Sequence, residues 1–424
     1  MFVHLMPGGR AAPALTGLVF GLHLLLIGLL CGPAPAGASV SRAAASQVPA
    51  SRVRQDPVTA RFAGYDPASR VTLDHRPWTR VLVQLVLKVG RSKGRLAPTR
   101  PEKLHASNLT YGNPNPSRFE NNRVMFHLLK NKHLAFIRRY RDGLAALARR
   151  LPLERLNRGE QLAYWLNLYN ATVLLEVAER YPIRRLRALR RGRDDDLWHR
   201  RLVTVKGVAL SLADIETKVL FALWHDPRVL YGLWQGAVGG PRLPNRAYTG
   251  ENVWRLLEEN RAEFVNSNRA TRPDRGRLHV SRLYAWGYDL FDRDPGRLLA
   301  HLRRHAEGVF APPIGNADPD ALVFDLYDWH VADLIDGNTI KGGWSNFGAF
   351  AGQLPEFWDF IEPSMDRERA RTANPLPPQV FTLLAGIREH TERPGRPQVA
   401  VEECAPGADC RPQPAGSEGT AEPR

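Results

Sequence analysis

The most continuous apolar pattern in the chain lies between Glu160 and Tyr181. Apolar residues recur there with the 3.6-residue period of an α-helix, at Leu162, Leu166, Tyr169, Val173 and Val177. The opposite face is also mostly apolar, which predicts a helix buried on several sides at the centre of a domain. Asn157 precedes the segment at a capping position, and Pro182 follows its end.

Two asparagines interrupt this core pattern. Asn167 and Asn170 are three residues apart and therefore share one helix face. A buried amide without a partner costs about 1–3 kcal/mol, so both side chains need hydrogen bonds. They either tie neighbouring loops to the helix or line a polar ligand pocket, and the sequence leaves both interpretations open.

Shorter patterns complete the predicted fold. Residues 125–150 and 251–264 have the spacing of amphipathic helices, and residues 203–210 predict a tight hairpin around Lys206-Gly207. Ser211 is a predicted N-cap, with Asp214 at the capping-box position. We therefore expect an α+β fold: a predominantly helical single core domain with a small antiparallel sheet and a central buried helix.

The chain divides into five predicted segments. These are a signal peptide (1–38), a flexible lead-in (39–64), the core domain (65–335), an accessory helical and aromatic segment (336–391) and a disordered tail (392–424). The apolar residues 14–30 followed by Ala36-Gly37-Ala38 predict cleavage near Ala38, and hence a periplasmic or secreted protein. A lipoprotein attached at Cys31 and an uncleaved anchor are less favoured alternatives, because Leu30 precedes that cysteine and the apolar run is short for a membrane span.

The formal net charge is +16, and the densest basic run is Arg184–Arg193. No nucleic-acid-binding motif accompanies the run, so nucleic acid is not expected as a partner. The sequence is compatible with a solvated basic surface or with weak contact between Arg184–Arg193 and anionic surfaces.

Cysteine and histidine usage limits the possible chemistry. After the signal peptide only Cys404 and Cys410 remain, so a thiol nucleophile or a thiolate zinc site is excluded from the core. His301 and His305 have the spacing of two metal ligands on one helix face, but two arginines between them oppose a cation. The sequence predicts no metal and no cofactor.

The most polar loop of the core spans residues 226–250. Gly236, Gly239 and Gly240 allow backbone amides to face a ligand, although their spacing fits neither a dinucleotide-binding nor a phosphate-loop motif. A cleft between this loop and the central helix is the predicted ligand site. Its candidate residues are Asn167, Asn170, Arg228, Gln235, Arg242, Tyr248 and Asp328.

Several motifs resemble the family called domain of unknown function 547. They are YWLNLYNA, VKGVALSLADIE, the blocks from GGPRL to YTGEN, SRLYAWGYDLF and YDW, in order between Asp74 and Asp333. The resemblance implies a fold and the location of a site more firmly than a reaction. Similar family members carry histidine at Leu230 and cysteines at Gln235 and Gly240, so a catalytic thiol and a structural cysteine pair both remain open for the family.

Three functions fit these observations. The leading one is a non-catalytic or residual-activity family member that binds a small polar molecule, a peptide or an envelope component in the predicted cleft. A hydrolase or transferase could instead use paired carboxylates there, chosen from Glu160, Asp214, Glu216, Asp325 and Asp328. The third is a structural envelope protein.

Overall fold

The computed structural model describes residues 56–98, 113–193, 196–337 and 378–392. The predicted signal peptide, most of the predicted accessory segment and the predicted tail after residue 392 lie outside these ranges. No helix within the described ranges combines the length and apolarity needed to cross a membrane.

Helices dominate the described chain. They are α1 (Pro57–Phe62), α2 (Arg76–Leu85), α3 (Asn131–Arg150), α4 (Arg158–Glu179), α5 (Leu212–Asp214), α6 (Ala222–Trp224), α7 (Val253–Val265), α8 (Arg282–Trp286), α9 (Pro295–His305), α10 (Ala311–Gly315) and α11 (Pro378–His390). A π-helical stretch, Ile215–Phe221, joins α5 to α6.

The strands are short and form small sheets. They are β1 (Val86–Leu87), β2 (Arg91–Ser92), β3 (Arg123–Val124), β4 (Val203–Val205), β5 (Val208–Leu210), β6 (Thr271–Asp274), β7 (Arg277–Ser281), β8 (Leu322–Leu326) and β9 (Thr391–Glu392). Strand β1 pairs with β3, β2 with β9 and β4 with β5, all antiparallel. In the three-stranded sheet β7 pairs antiparallel with β6 and parallel with β8. The predicted mostly helical α+β class is confirmed, with one sheet mixed rather than antiparallel.

Helix α4 is the predicted central helix. Every residue from Glu160 to Ala178 is buried, and α3, α7 and the π-helical stretch pack around it. The Asn157 side chain accepts a hydrogen bond from the Glu160 amide at 2.9 Å, which confirms the predicted N-cap. Burial on all sides follows from the lack of a polar face in this segment.

The predicted hairpin and the helix that follows it are also confirmed. Lys206 and Gly207 both have positive φ, 51° and 80°, as a two-residue turn of type I′ requires. The Ser211 hydroxyl accepts from the Asp214 amide at 3.0 Å, and the Asp214 carboxylate accepts from the Ser211 amide at 2.9 Å. This reciprocal pair is a capping box.

Two element boundaries differ from those predicted. Helix α1 lies within the predicted flexible lead-in, and its Phe62 is buried with its ring 4.9 Å from that of Trp165. Helix α3 begins at Asn131 rather than 125, because the Met125 amide donates to the Leu85 carbonyl at 2.9 Å and continues the pairing of β3 with β1. In both cases contacts with residues distant in sequence decide the local structure.

Candidate functional site

Asn167 and Asn170 hold the 226–250 loop against α4. Asn167 exchanges two hydrogen bonds with the backbone of Tyr248, at 2.7 and 3.1 Å. Asn170 donates to the Gly232 carbonyl at 3.0 Å and accepts from the Trp234 amide at 3.1 Å. The prediction that both are buried and hydrogen-bonded is confirmed, and these contacts support the loop-tying interpretation.

Arg242 and Tyr248 are joined to this region through Asn260. The Arg242 guanidinium donates through Nε to Oδ1 of Asn260 at 2.8 Å. Nδ2 of Asn260 donates to the Tyr248 hydroxyl at 3.4 Å. Burial raises the pKa of Tyr248 above its usual value, so the hydroxyl stays protonated. Asn260 was not predicted as a site residue, because it lies on α7, where the sequence shows only an amphipathic pattern.

Arg228 is not part of the network formed by Arg242, Asn260 and Tyr248. Its guanidinium lies 2.6 Å from Oδ2 of Asp226 and stacks over Trp254 at 4.4 Å from the ring centroid. Gln235 accepts a hydrogen bond from the Tyr327 hydroxyl at 2.6 Å. The predicted site residues therefore occupy several separate networks.

The glycine loop uses its backbone amides within the protein. The Gly239 amide donates to the Asp328 carbonyl at 2.8 Å, and the Gly240 amide donates to the Ala237 carbonyl at 3.2 Å. A Cβ atom at Gly239 would lie 2.3 Å from the Asp328 nitrogen, so only glycine fits there. This corrects the expectation that the Gly239 and Gly240 amides face a ligand: they hold the loop to the segment around Asp328.

The polar segment formed by residues 113–123 supports the same glycines. Nδ2 of Asn121 lies 3.0 Å from the Gly240 carbonyl and 2.9 Å from the Val238 carbonyl. Arg269 donates to the Gly240 carbonyl from the other side at 2.8 Å. The run NPNPSRFENNR between 113 and 123 carries many side chains able to bond backbone groups, and that composition was the available signal.

The carboxylates considered for acid–base chemistry have different partners. Glu160 accepts from the amides of Leu73 and Gly250, at 3.3 and 3.0 Å. Asp214 caps α5, and Asp325 pairs with His279 at 2.8 Å. Glu216 and Asp328 belong to the two polar centres described below.

A cavity of about 870 Å³ opens beside the basic run. Its lining residues are Arg185, Arg187, Ala188, Arg190, Arg191, Gly192, His199, Ala213, Glu216, Thr217, Arg282, Trp286 and Trp329. None of the seven predicted site residues is among them. The sequence predicts a solvated basic surface for this run, whereas part of the run lines a concave space in the structure.

A buried ion pair forms the inner wall of this cavity. Arg190 donates to both oxygens of Glu216, at 3.2 and 2.8 Å, and their side chains are 10% and 3% exposed. Glu216 also accepts from Tyr169 of α4 at 2.5 Å and from the Trp198 indole at 3.0 Å. Burial is the largest single influence and lowers the pKa of Arg190, but Glu216 together with Tyr169 and Tyr327 outweighs it, so the pKa is raised overall. Both carboxylate oxygens of Glu216 are thus hydrogen-bonded.

Three cavity arginines form no ion pair with any described residue. Arg187, Arg191 and Arg282 are exposed and line the space. Trp286 and Trp329 supply an aromatic wall with ring centroids 5.9 Å apart, and Arg190 stacks over Trp286 at 3.9 Å. The cavity therefore combines half-buried aromatic surface with positive charge that no ion pair to a described residue compensates.

The potential histidine pair on α9 is engaged in other contacts. Nε2 of His301 lies 2.8 Å from the Tyr231 hydroxyl, and burial lowers the pKa of His301 to about 3. Across the described ranges, no group of three or more His, Cys, Asp or Glu side chains is arranged to hold a metal ion.

Residues 153–265 match the family model described as Protein of unknown function, DUF547. This match confirms the predicted resemblance to the DUF547 family over that segment. No curated protein and no solved structure matches the chain.

The DUF547 match covers only part of the cavity. Residues 185–192, His199 and Glu216 lie inside the matched segment, whereas Arg282, Trp286 and Trp329 lie beyond its end. The aromatic wall and Arg282 therefore come from the part of the chain that the DUF547 model does not match.

Proposed function

We propose that this protein is a binding protein for a small ligand that carries at least two negative charges. The observation that carries the proposal is the convergence of Arg187, Arg191 and Arg282 on one cavity without ion-pair partners among the described residues. Guanidinium groups bind phosphate and carboxylate oxygens through paired hydrogen bonds, so three of them suit an oxyanion.

The shape of the cavity supports a discrete ligand. Small-molecule sites have volumes of about 300–1,000 Å³, and this cavity falls within that range. Its inner wall is fixed by the Arg190–Glu216 pair and by Tyr169 from the central helix. A preorganised wall lowers the entropy lost on binding.

The ligand chemistry that we assign is a phosphate ester. Two sources can supply this group: a soluble phosphorylated molecule or a phospholipid head group. The export predicted from residues 1–38 makes an envelope lipid one of these sources. Trp286 and Trp329 would contact the uncharged part of either ligand.

Calorimetric titration with inorganic pyrophosphate at an ionic strength of about 0.15 M tests anion binding. The cavity variant carries Arg187→Gln, Arg191→Gln and Arg282→Gln. Its control removes the same charge from exposed arginines outside the cavity, through Arg149→Gln, Arg150→Gln and Arg277→Gln. We expect the cavity variant to lose at least tenfold in affinity and the control to lose less than twofold, because salt screens distant surface charges.

Equal losses in the two variants, or no binding by the wild type, would contradict the proposal. A second titration uses vesicles with and without phosphatidylglycerol. Binding that needs this lipid and depends on the cavity arginines identifies a head group as the ligand. Binding of pyrophosphate without vesicle binding identifies a soluble phosphate.

A further inference from the structure

A second polar centre lies on the segment that also supplies the cavity wall. This segment is extended around His330, which pairs with Arg185, and Val331, which pairs with Ala237. Neighbouring side chains of extended backbone point to opposite sides. Trp329 lines the basic cavity, whereas Asp328 and His330 are buried behind it, with 3% and 6% of their surfaces exposed.

Four donors fix the Asp328 carboxylate. Oδ1 accepts from the backbone amide of His330 at 3.0 Å and is 2.8 Å from Nδ1 of its ring. Oδ2 accepts from Asn113 at 2.6 Å and from Ser117 at 3.3 Å. An ionised carboxylate only accepts hydrogen bonds, so Nδ1 of His330 carries a proton, and in the neutral form of the ring Nε2 presents its lone pair.

That Nε2 atom is buried and has no hydrogen-bond partner among the described residues. Leaving such an atom unsatisfied costs about 1–3 kcal/mol, and folded proteins rarely do so. Oδ2 of Asp336 is another buried atom without a hydrogen bond to a described residue, although the Arg184 guanidinium lies 3.8 Å from it. The three other histidine–aspartate pairs of the described ranges differ: the side chains of His199, His225 and His279 are 38%, 60% and 20% exposed, so water reaches them.

We propose that Asp328 and His330 form a proton-accepting pair, and that Nε2 of His330 binds the hydroxyl group of a small neutral molecule. The ligand donates its O–H to the Nε2 lone pair. If the proton transfers, the O–H bond breaks and an N–H bond forms. The Asp328 carboxylate then balances the positive ring, and the reverse transfer restores the ligand. Orientation by a carboxylate is what prepares a histidine for this role.

Diethyl pyrocarbonate is the first probe, because it carbethoxylates an imidazole nitrogen that has a free lone pair and releases ethanol and carbon dioxide. Peptide mass spectrometry gives the modification rate at each histidine of the full chain. We expect His330 to react in the folded protein, and Asp328→Asn to slow it at least fivefold. Asp325→Asn, the matched change in the exposed His279–Asp325 pair, should leave His330 unchanged.

The wild-type measurement does not depend on the folding of any variant. A folded protein in which His279 reacts and His330 does not would overturn the proposal, since its Nε2 would then face a closed void. Glycerol supplies the test of ligand class. It should slow carbethoxylation at His330 but not at His279, and equal slowing at both would overturn the assignment of a hydroxyl ligand.

Discussion

A Cβ atom at Gly240 would lie 3.7 Å from the Cβ of Gln235. Cysteines joined by a disulfide have Cβ atoms about 3.5–4.5 Å apart. These are the two positions at which DUF547 proteins resembling this chain carry cysteines, so the geometry favours a structural pair there over a nucleophile. Leu230, at the position of the family histidine, is fully buried and lies against Gly287.

The double substitution Gln235→Cys with Gly240→Cys should therefore form a disulfide under mild oxidation. The closed loop is short, so we expect a gain of about 2 kcal/mol in the free energy of unfolding. Peptide mapping under non-reducing conditions identifies the bond separately from Cys404 and Cys410. Gln235→Cys alone serves as the control with an unpaired thiol. Two free thiols in the oxidised double variant would restore the thiol-enzyme interpretation of the family.

The central helix and the burial of its asparagines can be predicted from the sequence, because apolar residues on nearly every face of a helix indicate that the whole helix is buried. Nothing in the sequence links Asn113 to Asp328, which are 215 positions apart and meet only in the folded chain. The cavity also brings together residues distant in sequence, since its arginines come from residues 185–191 and from Arg282. Local patterns specify elements and caps, whereas such sites arise from how the elements pack.

Asn170→Leu tests the loop-tying role of the α4 amides. The substitution leaves the Gly232 carbonyl and the Trp234 amide without their partner inside the core. We expect the free energy of unfolding to fall by about 1–3 kcal/mol in urea denaturation. Asn316→Leu, at an exposed position, is the control and should change it by less than about 0.5 kcal/mol. Equal denaturation midpoints for the two variants would argue against this role.

Arg190→Met should destabilise the protein by about 3–5 kcal/mol, because it leaves Glu216 charged and buried without its partner. The double variant Arg190→Met with Glu216→Leu removes both charges and should be more stable than the single variant. A double-mutant cycle by chemical denaturation measures the difference. If the change in the free energy of unfolding for the double variant equalled the sum of the two single changes, Arg190 and Glu216 would not stabilise each other.

The last prediction concerns pH and Asp336. Burial raises the pKa of its carboxyl from 3.8 to about 7, although His330 and Arg184 oppose the shift. Between these values the folded protein holds a proton that the unfolded chain releases. The stabilisation is therefore complete below pH 3.8 and is lost as the pH rises through about 7. Asp336→Asn removes this dependence. Between pH 4 and pH 8 the free energy of unfolding of the variant should therefore rise by up to about 4 kcal/mol relative to wild type, since one pKa unit corresponds to about 1.4 kcal/mol.

Asp333→Asn is the matched comparison. Burial raises the pKa of Asp333 to about 6, so its gain should end about one pH unit lower. Urea denaturation across this pH range measures both curves, and a profile for Asp336→Asn parallel to that of wild type would show that Asp336 titrates equally in the folded and unfolded states.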